Sequence, residues 1–408
     1  MNTCRWVTLI LSTMLLHPAT GTANPSLQLL ARQAVSENPG EASAAIATLR
    51  TAGPEGLRAL FDAHADAIQR KRASPALDDH AWRRVSAALD AVASQRDAWA
   101  SGLYWFIDFE QAKAAARTSG KPILSLRLLG NLDEEFSCAN SRFFRTVLYP
   151  NADVSRVLRE RFVLHWKSVR PVPRVTIDFG DGRTLERTVT GNSVHYVLDA
   201  DGRVVDVVPG LYGARAFLRE LARTEAVARD CAGKTEAVRD AHLRRFHAER
   251  LAEIERSWAD DCAKIGSPPL VVENVDDATW IKIAVLHSED AQLDRGSAAL
   301  VESKSPDAIA ASRVAVAKTA VENPLLRALR ELQRSVAQDT VRNEYVLHRK
   351  IHEWFAGGAT TNDLQTLNRR VYAELFLSPL DDPWLGLAAD NAYTALPDGG
   401  ANTEKTPE

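Results

Sequence analysis

The spacing of hydrophobic positions changes period twice along this 408-residue chain. From Asn24 to about Trp99 apolar residues recur at helical intervals, broken at Asn38-Pro39-Gly40 and at Gly53-Pro54-Glu55-Gly56, which predicts a run of short amphipathic helices. Trp82, Val85, Leu89 and Val92 fall on one stripe of the helix expected over 81–99. Between about 101 and 232 the pattern turns to apolar runs separated by turns. Ile123–Leu129, Phe162–Lys167, and the stretches flanking Asp199-Ala200-Asp201-Gly202 read as strands, with helices at Asp108–Ala116, Asn151–Arg161 and Ala214–Ala228. Two further β-rich runs, Val175–Phe179 and Thr184–Val189, flank Gly180-Asp181-Gly182 and predict a hairpin. Beyond Lys234 helical spacing returns: 236–263, 278–288, 307–321, 325–338, 341–355 and 362–376. Ser378–Leu387 is turn-rich with apolar anchors and is expected to pack back on the body; 396–408 is polar and expected to be disordered. The chain thus reads as an α/β domain over 101–232 between α-helical regions at 24–100 and 233–395.

Residues 1–23 alter this picture by placing the protein in a compartment. Arg5 forms a short basic region, Trp6–Leu16 is apolar, and Gly21-Thr22-Ala23 offers small residues before Asn24, the order of a cleaved signal peptide. The expected location is periplasmic or secreted after cleavage near Ala23. The apolar run is too short for a permanent membrane span, and no later stretch is longer. With 50 basic and 53 acidic side chains the chain is nearly neutral, so nothing calls for nucleic acid or an anionic membrane as partner. No phosphate-cradling glycine loop, nucleophile elbow or paired-carboxylate motif is present, and no cofactor is implied.

Cleavage removes Cys4 and leaves Cys138, Cys231 and Cys262. Cys138 stands alone in Phe136-Ser137-Cys138-Ala139-Asn140-Ser141, just after an apolar strand and where a helix should begin. Ser119-Gly120-Lys121-Pro122 followed by Ile123–Leu129 resembles the first core strand of the extracytoplasmic thioredoxin-like families, and Asn192–Val205 is similar to the hairpin that closes their sheet. The resemblance covers about Trp105 to Ala222 and implies a thioredoxin-like α/β fold with a redox site at Cys138. Two positions depart from that family. Ser141 stands where the resolving cysteine would be, so no internal dithiol cycle is available. Ser193 stands where a cis-proline is usual; a cis bond at a non-proline residue costs about 3 kcal/mol, so a trans bond is expected there.

At a helix start, backbone N–H groups favour a thiolate, which makes Cys138 the candidate nucleophile, with Ser141 in the resolving position; Asp133, Glu134 and Glu135 would oppose ionisation if they faced the sulfur. His195 and His165, on strands read as adjacent, are candidate activators, and Asn192 and Ser193, with Asn140 and Arg170, are candidate supporting groups. An odd cysteine count in an oxidising compartment predicts one disulfide. Cys231–Cys262 is the expected pair, provided the helix between them breaks or a long helix precedes Cys231, and the alternative pairs Cys138 with one of them. His348 and His352 share a helical face with Glu344 one turn earlier, but no third or fourth ligand of familiar spacing follows, so the face reads as solvated or interhelical and no metal is assigned; His242 and His247 align less well. The leading expectation is a monothiol thiol–disulfide or client-handling factor acting through Cys138 on protein clients or small thiols. The alternative is a non-catalytic scaffold that binds envelope partners through its helices.

Overall fold

The structure, a computed structural model, describes residues 25–74, 77–304, 324–358, 363–387 and 395. The segment read as a signal peptide, the helix read at 307–321 and the tail at 396–408 lie outside the described residues.

The first region is helical as its periodicity requires: α1 (Pro25–Gln33), α2 (Pro39–Thr51), α3 (Pro54–Ala63), α4 (Ala65–Ala73), α5 (His80–Ala93) and α6 (Ala98–Ser101). Pro39 and Pro54 sit in the first turn of α2 and α3, where no N–H is needed, and the Asn38 side chain accepts from the N–H groups of Gly40 and Glu41. The Trp82 stripe faces inward, and Leu49, Leu60, Trp82, Leu89, Val92 and Trp99 anchor a core of their own.

Helix α7 (Phe109–Ser119) leads into β1 (Ile123–Leu129). Helix α8 (Ala139–Phe143), a π-helical turn (Phe144–Leu148) and α9 (Ala152–Arg161) then carry the chain over to β2 (Val163–Arg170), the crossover a parallel pair needs. The expected hairpin follows as β3 (Arg174–Asp178) and β4 (Thr184–Thr188), a separate two-stranded ribbon in register Arg174 to Thr188. Strands β5 (Val194–Leu198) and β6 (Val204–Pro209) close a four-stranded mixed sheet of order β2-β1-β5-β6. β1 and β2 run parallel; β5 is antiparallel to both β1 and β6. Every residue of β1, β5 and β6 is buried, as both faces of the sheet are covered by helices, including α10 (Ala214–Cys231).

Both edges of this sheet are occupied. At β2, the Phe106 N–H donates to the Leu164 carbonyl at 2.8 Å and its own carbonyl accepts from Trp166 at 3.1 Å. At β6, Arg239 donates to the Val204 carbonyl at 2.6 Å, and His247 Nε2 lies 3.1 Å from the Val205 carbonyl. Arg239 and His247 belong to α11 (Glu236–Lys264), which opens the C-terminal helical region. There follow α12 (Asp277–Leu286), α13 (Arg295–Ser303), α14 (Pro324–Arg342), a π turn (Asn343–His348), α15 (Arg349–Ala356), α16 (Leu364–Arg370) and a last π turn (Val371–Leu375). Apart from α13, whose Leu300 is buried in the core of the first helical region, these helices share one continuous apolar core with the sheet. No helix among the described residues is long and apolar enough to cross a membrane.

The expected Cys231–Cys262 disulfide is not formed: both are buried free thiols, as is Cys138. Cys231 ends α10, while Cys262 lies near the far end of α11. The helix does not break, and at about 1.5 Å per residue its length carries Cys262 roughly 39 Å beyond the turn.

Candidate functional site

Cys138 caps α8 in extended conformation (φ −61°, ψ 160°), and its Sγ accepts the Ser141 N–H at 3.5 Å. The Cys138 N–H is in turn held by the Leu129 carbonyl at 3.2 Å, so the end of β1 fixes where the thiol stands. Ser141 Oγ donates to the Cys138 carbonyl at 2.9 Å, and Ser193 Oγ lies 3.1 Å from the sulfur. Three expected site residues, Cys138, Ser141 and Ser193, therefore meet. All three have 0% exposure, which decides what the thiol can reach.

The enclosure is built from two directions. The loop before β5 presses on α8: a Cβ on Gly191 would lie 3.0 Å from Ala139 Cβ and 3.3 Å from Asn140 Oδ1, so glycine permits an approach that leaves no groove. The bonds described contain no cis peptide, in line with the trans geometry expected at Ser193. From the other side, the Tyr372 hydroxyl donates to the Asn192 carbonyl at 3.0 Å, and Asn192 Nδ2 donates to the Phe376 carbonyl at 3.4 Å. Burial drives the Tyr372 phenol well above its usual pKa, and the nearby Cys138 adds to the shift. Arg170 donates to the carbonyls of Leu380 at 3.4 Å, Asp382 at 2.6 Å and Pro383 at 3.2 Å, which fastens the turn-rich segment to the end of β2 as its apolar anchors predicted. Asn192 and Arg170 thus act as fasteners for the C-terminal segment. Two of the three acidic residues before Cys138 are engaged as well: Glu134 accepts from Asn131, and Glu135 pairs with Arg96 and Arg145.

The histidine expectation fails on strand order. β1 lies between β2 and β5, so His165 and His195 are not on adjacent strands. Ser125 pairs with His165 and Leu126 with His195, which puts the two rings on opposite faces of the sheet. His165 Nδ1 lies 2.8 Å from Ser125 Oγ; burial, with the Arg127 and Lys167 cations, pushes its pKa down to about 3. His195 Nε2 lies 2.8 Å from the Tyr149 hydroxyl, and burial takes it down to about 3 too. Neither hydrogen-bonds the sulfur, whose partners are Ser193 and Ser141, and both are neutral core rings.

No protein family, curated protein or solved structure matches this chain.

Two further features lie outside the sequence-predicted site. A cleft of about 960 Å³ opens at the seam between the first helical region and the sheet, lined among others by Leu57, Phe61, Tyr104, Phe106, Arg159 and Phe162. On β6, Asp206 is buried beside His348 and His352. The two histidines share one face as their spacing predicts, but that face is wholly buried and its carboxylate comes from β6, not from Glu344. The signal for Asp206 was present in the chain: a lone carboxylate in Val204-Val205-Asp206-Val207-Val208, an otherwise apolar strand.

Proposed function

We propose that this chain is an exported thioredoxin-like protein that serves as a non-catalytic interaction module of the cell envelope, its working surface lying in the helical regions. The observation that carries the reading is the enclosure of Cys138: its sulfur is fully buried against Ser193, and the position of a resolving thiol is held by an equally buried serine. A thiol attacks a disulfide as an accessible thiolate, and this one has no access. The thioredoxin-like assignment draws support from the order β2-β1-β5-β6, with a parallel first pair, an antiparallel closing hairpin and the cysteine at the start of the crossover helix. Fold alone does not bring activity with it, and the seam cleft offers the large apolar recess that binding sites favour at the junction of two regions.

The test is capture of partners from an envelope extract by the mature chain and by Cys138→Ser, with non-reducing electrophoresis beside it. The expected result is the same set of partners for both proteins and no mixed disulfide. A mixed disulfide trapped by the wild type and lost in Cys138→Ser would reverse the reading in favour of a monothiol factor.

A further inference from the structure

Four ionisable side chains meet in the core between β6 and the C-terminal helices, where a satisfied polar network would be required. Asp206 comes from β6, His247 from α11, His348 from the end of a π turn and His352 from α15; none has any solvent exposure. The hydrogen bonds fix which ring nitrogens carry protons. His247 Nε2 faces the Val205 carbonyl at 3.1 Å, and a carbonyl only accepts, so this nitrogen is the N–H and His247 Nδ1 holds a lone pair. His352 Nδ1 stands 2.8 Å from that lone pair and must donate to it. His352 Nε2 is then an unprotonated nitrogen, and it has no hydrogen-bond partner.

The other two groups converge on the same spot. His348 Nε2 and Asp206 Oδ2 face each other at 3.4 Å, within ion-pair range, and neither atom makes a well-formed hydrogen bond to any group. His348 Nδ1 is aimed at Glu220 Oε2, 3.9 Å away, a carboxylate itself held by Arg250 and Arg223. Donor atoms of Asp206, His348 and His352 all lie within 4.8 Å of one another. Buried polar atoms are nearly always satisfied; here His352 Nε2 has no partner and the His348–Asp206 contact is too long to be a good hydrogen bond, so two imidazole nitrogens and a carboxylate oxygen converge with the composition of a coordination sphere.

We propose that Asp206, His348 and His352 bind one divalent first-row transition cation, with His247 and Glu220 as the outer partners that orient the two rings. Nitrogen and carboxylate donors suit zinc, iron, manganese or cobalt, and the hydrogen bond between His352 Nδ1 and His247 sets the tautomer of that ring, while Glu220, 3.9 Å from His348 Nδ1, acts on the other by charge. The site is closed on every side, so its role is structural: it ties β6 to α15, and through His247 to α11. Such binding is coupled to folding.

Because the site is closed, the mature chain is stripped by unfolding in guanidinium with a chelator and refolded with Zn²⁺, Co²⁺ or Mn²⁺, or with none. After gel filtration, elemental analysis should give one ion per chain. Co²⁺ should produce visible d–d absorption. The metal-loaded form should unfold at higher denaturant, by about 100-fold in the unfolding equilibrium at a hundredfold excess over Kd. His352→Ala and the near-isosteric Asp206→Asn should lose the ion and the absorption, while His242→Ala should keep both. The proposal is overturned if wild type retains no ion from any of the three metals, in which case a direct His348–Asp206 ion pair or a buried water satisfies the cluster. It is equally overturned if folded Asp206→Asn and His352→Ala, with native circular dichroism, retain as much metal as wild type. Should neither variant refold, uptake and the cobalt spectrum of the wild type decide the matter.

Discussion

Replacing Tyr372 by alanine should uncover Cys138 while the rest of the chain stays folded. Tyr372 is fully buried, bonds the Asn192 carbonyl next to Ser193, and packs edge-on against Phe376, whose carbonyl receives Asn192 Nδ2. Truncation of a buried aromatic ring to alanine costs about 3 to 5 kcal/mol. The lost neutral hydrogen bond adds about 1 kcal/mol. Neighbouring chain recovers part of this by collapsing into the space, so about 3 kcal/mol is the conservative figure for local opening, or roughly 150-fold in the opening equilibrium. The assay is maleimide labelling of native protein with peptide mapping over time. Cys231 and Cys262, also buried and free, act as internal references for global unfolding. Cys138 should label roughly 150-fold faster in the variant, with the other two thiols unchanged. Equal acceleration of all three would mean that only global stability had fallen. No acceleration of Cys138 would mean that Tyr372 does not cover it, and either result refutes the enclosure argument.

Two further expectations concern stability. Gly213 starts α10 at φ −65°, a conformation open to any residue, yet a Cβ there would lie 2.2 Å from the Asp290 carbonyl oxygen. Gly213→Ala should therefore destabilise at or above the roughly 3 kcal/mol upper end of ordinary overpacking, read as a lowered urea midpoint. The second concerns alkaline pH. His287 bonds Asp261 at 2.5 Å, with Asp290 at 3.7 Å, and these partners raise its pKa from 6.5 to about 9. A raised histidine pKa favours the folded state of the cation, so this stabilisation is fully present below pH 6.5 and is lost as the pH rises through about 9. The side chain is one-quarter exposed. After allowance for solvent screening the loss should be on the order of 1 to 2 kcal/mol. Denaturant midpoints should fall between pH 6.5 and 9 in wild type and stay flat in His287→Gln; parallel falls would exclude His287 as the source.

The elements were legible because each rests on local chemistry. The Gly180-Asp181-Gly182 turn, the apolar run of β1, the proline-led starts of α2 and α3, and the cap position of Cys138 all follow from residues within a few positions of one another. What sequence could not supply was which elements meet. His165 and His195 lie on strands consecutive among the core apolar runs but separated in the sheet by β1, and register then sets them on opposite faces. The seal over Cys138 comes from Tyr372, and nothing in the Cys138 segment signals a partner so distant along the chain. The disulfide expectation depended on a break in α11 or a long helix before Cys231; α11 runs unbroken, and α10, though 18 residues long, ends at Cys231 and does not bring it to Cys262. His348 and His352 were recognisable as a pair, but their carboxylate required knowing that β6 is the edge against which α11 and α15 dock.

That edge also constrains how copies of this protein meet one another. An open strand with four valines would be a template for sheet extension between molecules, and thus for fibrous assembly. Here the Val204 and Val205 carbonyls are spoken for by Arg239 and His247, and Asp206 interrupts the valines with a buried charge. Phe106 performs the same service at β2. The β6 edge cannot accept a fifth strand, so extension of the four-stranded sheet from that side would first have to peel α11 from β6.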